Sequence, residues 1–264
     1  MAVNNALRIA CDEIFRTVEI LAPGRVRIGP GAAECDPNAL LAFLQAEIYR
    51  RCYACFRSVP AETSAAQLLG AVRSANHSRA FPRESLARLP HSYTALGPKP
   101  PVSVTWLRLY WNVGPNGAVK LMDRATDLLS QSGAPFQLKI MLDTGRRRRD
   151  AAVLYVPVAR WREAARLLRM SYRDVAKMGD FEPDAPLFAR SVRAGVGLAE
   201  DPGGGRSFGE HRAFLVALAL VDIYLSGTPG EEAGWRALLS RFEFAGLSLE
   251  RPHLNGMGPD SYLM

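Results

Sequence analysis

Residues 102 to 143 read VSVTWLRLYWNVGPNGAVKLMDRATDLLSQSGAPFQLKIMLD, and this stretch decides the fold class. Its first part alternates. Trp106, Arg108, Tyr110 and Asn112 fall on one side of an extended chain, and Leu107, Leu109, Trp111 and Val113 on the other, because successive strand side chains point to opposite faces. Its last part repeats the pattern, with Phe136, Leu138, Ile140 and Leu142 opposed to Gln137, Lys139, Met141 and Asp143. The middle is amphipathic at helical spacing and stops at Gly133. The grammar is therefore strand, helix, strand.

Working outward, TGRRRRD is a loop and AAVLYVPV a buried strand, followed by helices over residues 159 to 177, from about Phe208 to Leu225, and over 231 to 245. Toward the N-terminus, Leu7, Cys11, Ile14, Phe15 and Val18 are spaced as one helix face within residues 4 to 21. A turn with room for a short strand follows at APGRVRIGPG. Asp36-Pro37 then opens a second helix through Phe56, with proline in its first turn, and a third spans about Glu62 to Ala75. The Pro- and Ser-rich passage FPRESLARLPHSYTALGPKPP marks a boundary. The expected organisation is a helical N-terminal region, 1–95, serving recognition, and an α+β domain, 96–264. The predicted class is α+β, with the helical part packed beside a mixed, largely antiparallel sheet that carries flanking helices.

The totals narrow the function. Hydrophobic residues make up 48% and charged residues 22% of 264, enough for a sizeable core. No apolar run approaches the roughly 20 residues of a spanning helix, and MAVNNALRIACDEIF lacks a secretory signal's basic start and apolar stretch. A cytoplasmic protein without a membrane partner is expected. Four cysteines are too few for a disulfide scaffold, and the C-x-x-C pair Cys52/Cys55 has no second pair or histidine to complete a zinc site. Four scattered histidines give no metal constellation, and no Ser-His-Asp or Cys-His set is present. The formal charge of +7 favours an anionic partner. Aromatic residues interleave poorly with the basic clusters, which argues against nucleic acid.

Only four of the 33 basic residues are lysines. Lys139 sits on the polar parity of its strand, where two readings fit. It is a solvent-face lysine, or a partly desolvated amine able to lose its proton and act as a base. Arg108 and Tyr110 share a parity as well, either as a surface ladder or as part of a site. Within the run Arg146 to Arg149, at least one arginine can turn inward.

GVGLAEDPGGGRSFGEHR, residues 195 to 212, also has two readings. Ser207 and Glu210 form a capping box, so a helix starts just after three glycines, with Arg206, His211 and Arg212 at its entry. Bare backbone beside a helix N-terminus suits an anion, phosphate above all; the alternative is a slack loop before an ordinary helix start. P-loop and dinucleotide readings fail, because no Gly-Lys-Ser/Thr and no βαβ unit accompany the glycines.

In order along the chain, LRLYWNV, GAVKLMDRATDLL, PFQLKIMLD, RRDAAVLYV, GVGLAEDPGGGRSFGEHR and ERPHLNGMGPDSY resemble the HopA-type family first named for type III secretion effectors. The resemblance covers residues 100 to 264 well and the N-terminal helices loosely. Relatives of that family accompany a kinase-like protein and a precursor peptide in class V lanthipeptide and thioamitide pathways. The family is in turn distantly similar to the OspF and SpvC phosphothreonine lyases. This implies a cofactor-free phosphoserine/phosphothreonine lyase acting on a phosphorylated precursor peptide, with a separate kinase-like partner. The alternative is a non-catalytic module that docks that kinase or a phosphopeptide. The resemblance places the base at Lys139 and phosphate binding at Arg108, Arg149, Arg212, Arg206 and Gly204. Tyr110 stands where those lyases carry a histidine acid, so Tyr110 is expected as the acid and His211 as the alternative. The glycine loop is expected at the mouth of the Lys139 cleft.

Overall fold

The computed structural model describes residues 5–78, 82–99, 105–256 and 260–262. In chain order they form α1 (Asn5–Thr17), β1 (Val18–Ala22), β2 (Arg25–Ile28), β3 (Gly31–Glu34), α2 (Leu40–Ile48), β4 (Arg57–Ser58), α3 (Ala65–His77), β5 (Arg83–Ser85) and β6 (Ser92–Leu96). The second half adds β7 (Trp106–Trp111), α4 (Pro115–Gln131), β8 (Gln137–Met141), β9 (Arg146–Arg147), β10 (Ala152–Pro157), α5 (Trp161–Ala176), β11 (Arg190–Arg193), β12 (Val196–Glu200), α6 (Phe208–Ser226) and α7 (Glu231–Phe244). The fold is α+β. Residues 102–104 of the expected first strand lie outside the described residues.

The chain divides into two compact units, Met1–Cys55 with Pro202–Asp260, and Phe56–Asp201 with Ser261–Met264. The boundary expected at residue 95 falls inside the second unit, because β5 and β6 join its main sheet. Of the three expected N-terminal helices, α3 belongs to that unit as well.

In the first unit α1 buries Leu7, Cys11 and Ile14, one stripe of the helix. It stops at Thr17, earlier than its periodicity suggests, because Val18 and Ile20 turn inward at period two as β1. Strands β1, β2 and β3 form an antiparallel meander. Helix α2 ends at Ile48 and passes into a π turn over Tyr49–Tyr53, instead of continuing to Phe56. Helix α6 has buried residues around most of its circumference, so it is an internal helix with little amphipathic contrast. Gly209 lets it approach the π turn, since a Cβ there would lie 2.4 Å from the Tyr53 ring.

The second unit is built on a seven-stranded sheet in the order β11-β12-β7-β10-β8-β6-β5. A strand, helix, strand run would ordinarily give two adjacent parallel strands. Here β10 inserts between β7 and β8 and pairs antiparallel with both. Every named pairing among the described residues is antiparallel, in keeping with the mixed, largely antiparallel sheet that was expected.

The insertion sorts side chains by face. Leu109, Leu154 and Leu138 stand opposite one another and are fully buried. Their face also carries Tyr93 and Trp111, which meet Asn76 of α3 and Tyr172 of α5. The other face carries the polar parity.

Candidate functional site

Two rows of residues cross that polar face. In the first, Lys139 opposes Val153, Val153 opposes Tyr110, and Tyr110 opposes Gly197. In the second, Gln137, Tyr155, Arg108 and Ala199 stand in line. Lys139 and Tyr110 are two strands apart, about 10 Å between backbones, with Val153 of β10 between them on the same face. Lys139, Arg108 and Tyr110 were expected on neighbouring strands; the register puts them on one face, but β10 separates β8 from β7.

Lys139 is half-buried. Burial holds its pKa below the ordinary lysine value; Asp150 opposes this, while Arg88, Arg148 and Arg108 add to it. Arg108 is buried, and its Nε and Nη2 both donate to Oδ2 of Asp201, at 2.8 and 2.6 Å. Its guanidinium lies 5.1 Å from the Tyr155 ring centre. This is an arginine fixed by a carboxylate and an aromatic face, whose charge helps to lower the pKa of the Lys139 amine.

The arginine run resolves differently from expectation. Arg148, and not Arg149, is the member the fold buries. It grips Asp150 in a bidentate pair, with Nε to Oδ1 at 2.6 Å and Nη2 to Oδ2 at 3.0 Å, and stacks 4.6 Å from the Phe56 ring. Arg149 is half-buried and reaches Asp184 at 3.3 Å. Arg146 is exposed, and Arg147 binds Asp180 at 2.7 Å. Asp150, Arg88, Tyr155 and Asp201 surround the candidate site and were not among the expected residues, whereas Arg148 belongs to the run from which one arginine was expected to turn inward. Tyr155 alone carried a signal, since its parity in β10 places it opposite Arg108.

The remaining candidates belong to the first unit. Ser207 Oγ accepts from Glu210 N at 3.1 Å, and the Glu210 carboxylate accepts from Ser207 N at 3.0 Å, so the expected capping box is formed. The helix end thus already carries an anion of its own. Gly203, Gly204 and Gly205 have φ of 71°, 62° and 76°, and a Cβ on any of them would meet nothing within 4 Å. The triplet supplies a left-handed backbone at three successive positions. Gly204→Ala is expected to cost about 1–2 kcal/mol through that conformation, and Ser207→Ala about 1 kcal/mol through the lost cap. Urea unfolding of each variant checks both figures.

Arg206 lies exposed, 5.1 Å from the Phe214 ring. Arg212 is fully buried. Its Nε donates to Pro252 O at 2.8 Å and its Nη2 to Leu254 O at 2.9 Å, so it clasps the segment around His253. Its Nη1 also donates to His211 Nδ1 at 2.6 Å. Adjacent helical residues diverge by about 100°, yet the long arginine reaches back to its neighbour. Burial first, then Arg212 and Arg206, bring the His211 pKa down to about 4. At neutral pH the ring is therefore uncharged.

Among the described residues no three His, Cys, Asp or Glu side chains cluster as a metal site, and no helix is long and apolar enough to cross a membrane. The Cys11 thiol, pushed up to about 12 by burial and then by Asp12 and Cys52, stays protonated.

A profile of the HopA1 effector protein family matches residues 91–254, a span that takes in all eight expected site residues. The chain belongs to this family. No curated protein sequence matches it. Two solved effector proteins share the HopA1-family chain's fold. One, from Pseudomonas syringae pv. tomato strain DC3000, has a TM-score of 0.60 at 18% identity, over 83% of this chain and 96% of its own. The other, from Pseudomonas syringae pv. syringae strain 61, has a TM-score of 0.59 at 15% identity, over 97% and 100%.

Proposed function

We propose that this HopA1-family chain is a phospholyase that eliminates phosphate from phosphoserine or phosphothreonine in a peptide. The observation that carries the reading is Lys139, an amine on the polar face of β8 whose pKa is lowered by burial and by the charges of Arg88, Arg148 and Arg108. β-Elimination needs a base for the Cα proton, a means of holding phosphate, and a proton for the departing oxygen. Lys139 takes the Cα proton, the electron pair forms the Cα–Cβ double bond, and the Cβ–O bond breaks. Arg108 and Arg148 steady the phosphate oxygens, and Tyr110 protonates the leaving oxygen. The product is dehydroalanine or dehydrobutyrine. In this scheme Arg148 takes the role first assigned to Arg149, and Arg206, Gly204, His211 and Arg212 play no part. The peptide would be a precursor phosphorylated by a separate kinase-like protein.

The test is mass spectrometry of a synthetic phosphothreonine peptide incubated with the protein. Loss of about 98 Da, phosphoric acid, is the expected outcome of this chemistry. Recovery of intact phosphopeptide, with candidate kinase and leader also present, would overturn it. A second reading, a phosphopeptide-binding module without turnover, is favoured by the carboxylates already engaging Arg108 and Arg148. Tight binding with unchanged mass would select it.

A further inference from the structure

The second unit also holds a cavity of about 510 Å³, where Arg57, Arg146, Arg147 and Arg148 line the wall together with the carboxylates of Glu62, Asp143, Asp180 and Glu182, beside Met141 and the start of α4. Met141 lies two residues beyond Lys139 on the same face of β8, about 7 Å along. Arg148 belongs to both places, lining the cavity and acting on Lys139. A peptide laid across Lys139 would pass this cavity.

Two of its cations are loosely committed. Arg57 meets Glu182 at 3.0 Å and Arg146 meets Asp143 at 3.6 Å, both with more than half of the arginine side chain exposed. Such pairs exchange partners at small cost. Arg147 gives its Nη2 to Asp180, while its Nη1 is buried and meets no acceptor among the described residues. A buried donor left unmatched is the group an incoming oxygen would satisfy, here after a small rotation of the guanidinium toward the cavity.

We propose that the cavity takes a carboxylate side chain of the substrate peptide, two to four residues from the residue that loses phosphate. The spacing follows from an extended peptide advancing about 3.3 Å per residue. The inference rests on the phospholyase reading of the Lys139 face, and it makes the enzyme selective for acidic peptides.

The experiment uses the full chain and phosphothreonine peptides of equal length. Glutamate, phosphoserine or alanine is placed two to four residues away on either side. Kd is read by fluorescence anisotropy and KM by turnover. On one side, the glutamate peptides are expected to bind about tenfold tighter than alanine and at least as tightly as phosphoserine. The glutamate advantage should shrink in Arg146→Ala and in Arg147→Lys; the latter keeps a cation for Asp180 but loses the second fork nitrogen. Melting curves confirm that both variants fold. Equal affinity for glutamate and alanine peptides, or an advantage unchanged in both variants, would overturn the inference. A clear preference for phosphoserine over glutamate would overturn the choice of carboxylate. Elimination without flank preference sinks this inference alone. Flank preference without elimination sinks the catalytic reading and leaves the cavity's role standing.

Discussion

Lys139→Met is expected to lower phosphate elimination by a factor of about 10²–10⁴, the usual contribution of a positioned base, while leaving the protein folded. The substitution keeps most of the side chain's length and removes only the amine. In the unsubstituted protein the rate should rise with pH as Lys139 loses its proton, at a pH below the ordinary value of 10.5. That limb should vanish from the residual activity of the variant. Stability should rise with pH as well. The folded chain holds this proton less firmly than the unfolded chain does, because burial disfavours the charged amine. Between the two pKa values the unfolded chain binds more protons, so stability rises with pH toward 10.5. Below that window the charged amine is a burden, and Lys139→Met should melt at a higher temperature than the parent near neutral pH. A variant that keeps full activity, or one that loses the activity together with its cooperative melting transition, would remove Lys139 from the chemistry.

Arg212→Met is expected to cost about 3–5 kcal/mol of stability, read by urea unfolding. The guanidinium is fully buried, and the carbonyls of Pro252 and Leu254 depend on it. Arg212→Lys should fall between the parent and Met, since one ammonium cannot reproduce the fork. Removing the neighbouring cation should also raise the His211 pKa from about 4 toward its ordinary 6.5, which proton NMR can follow. In the parent, the unfolded chain binds more protons at His211 between these values, so stability falls as pH drops from 6.5 toward 4. Undiminished stability with weakened phosphopeptide affinity would return Arg212 to the ligand-binding role that the sequence alone suggested.

Much was written locally. The alternation of residues 106 to 111 and 137 to 141, the stop at Gly133, and the Ser207/Glu210 capping box all rest on interactions within a few residues, and each formed as read. Parity also put Arg108, Tyr110 and Lys139 on the polar side of their strands. Parity cannot say which strands are neighbours. The placement of β10 between β7 and β8 depends on tertiary pairing, and it kept those two strands from pairing in parallel and set their polar residues on one face. The choice of Arg148 within four identical residues was equally beyond local reading, since it turns on which guanidinium meets Asp150 and Phe56 in three dimensions. So was the role of Arg212, whose partners lie 40 and 42 residues away. The sequence determined the elements, their faces and the residue types available for chemistry, because those follow from backbone sterics and short-range hydrogen bonds. Only the tertiary structure decided which charges are buried together, because burial and pairing belong to the packed whole.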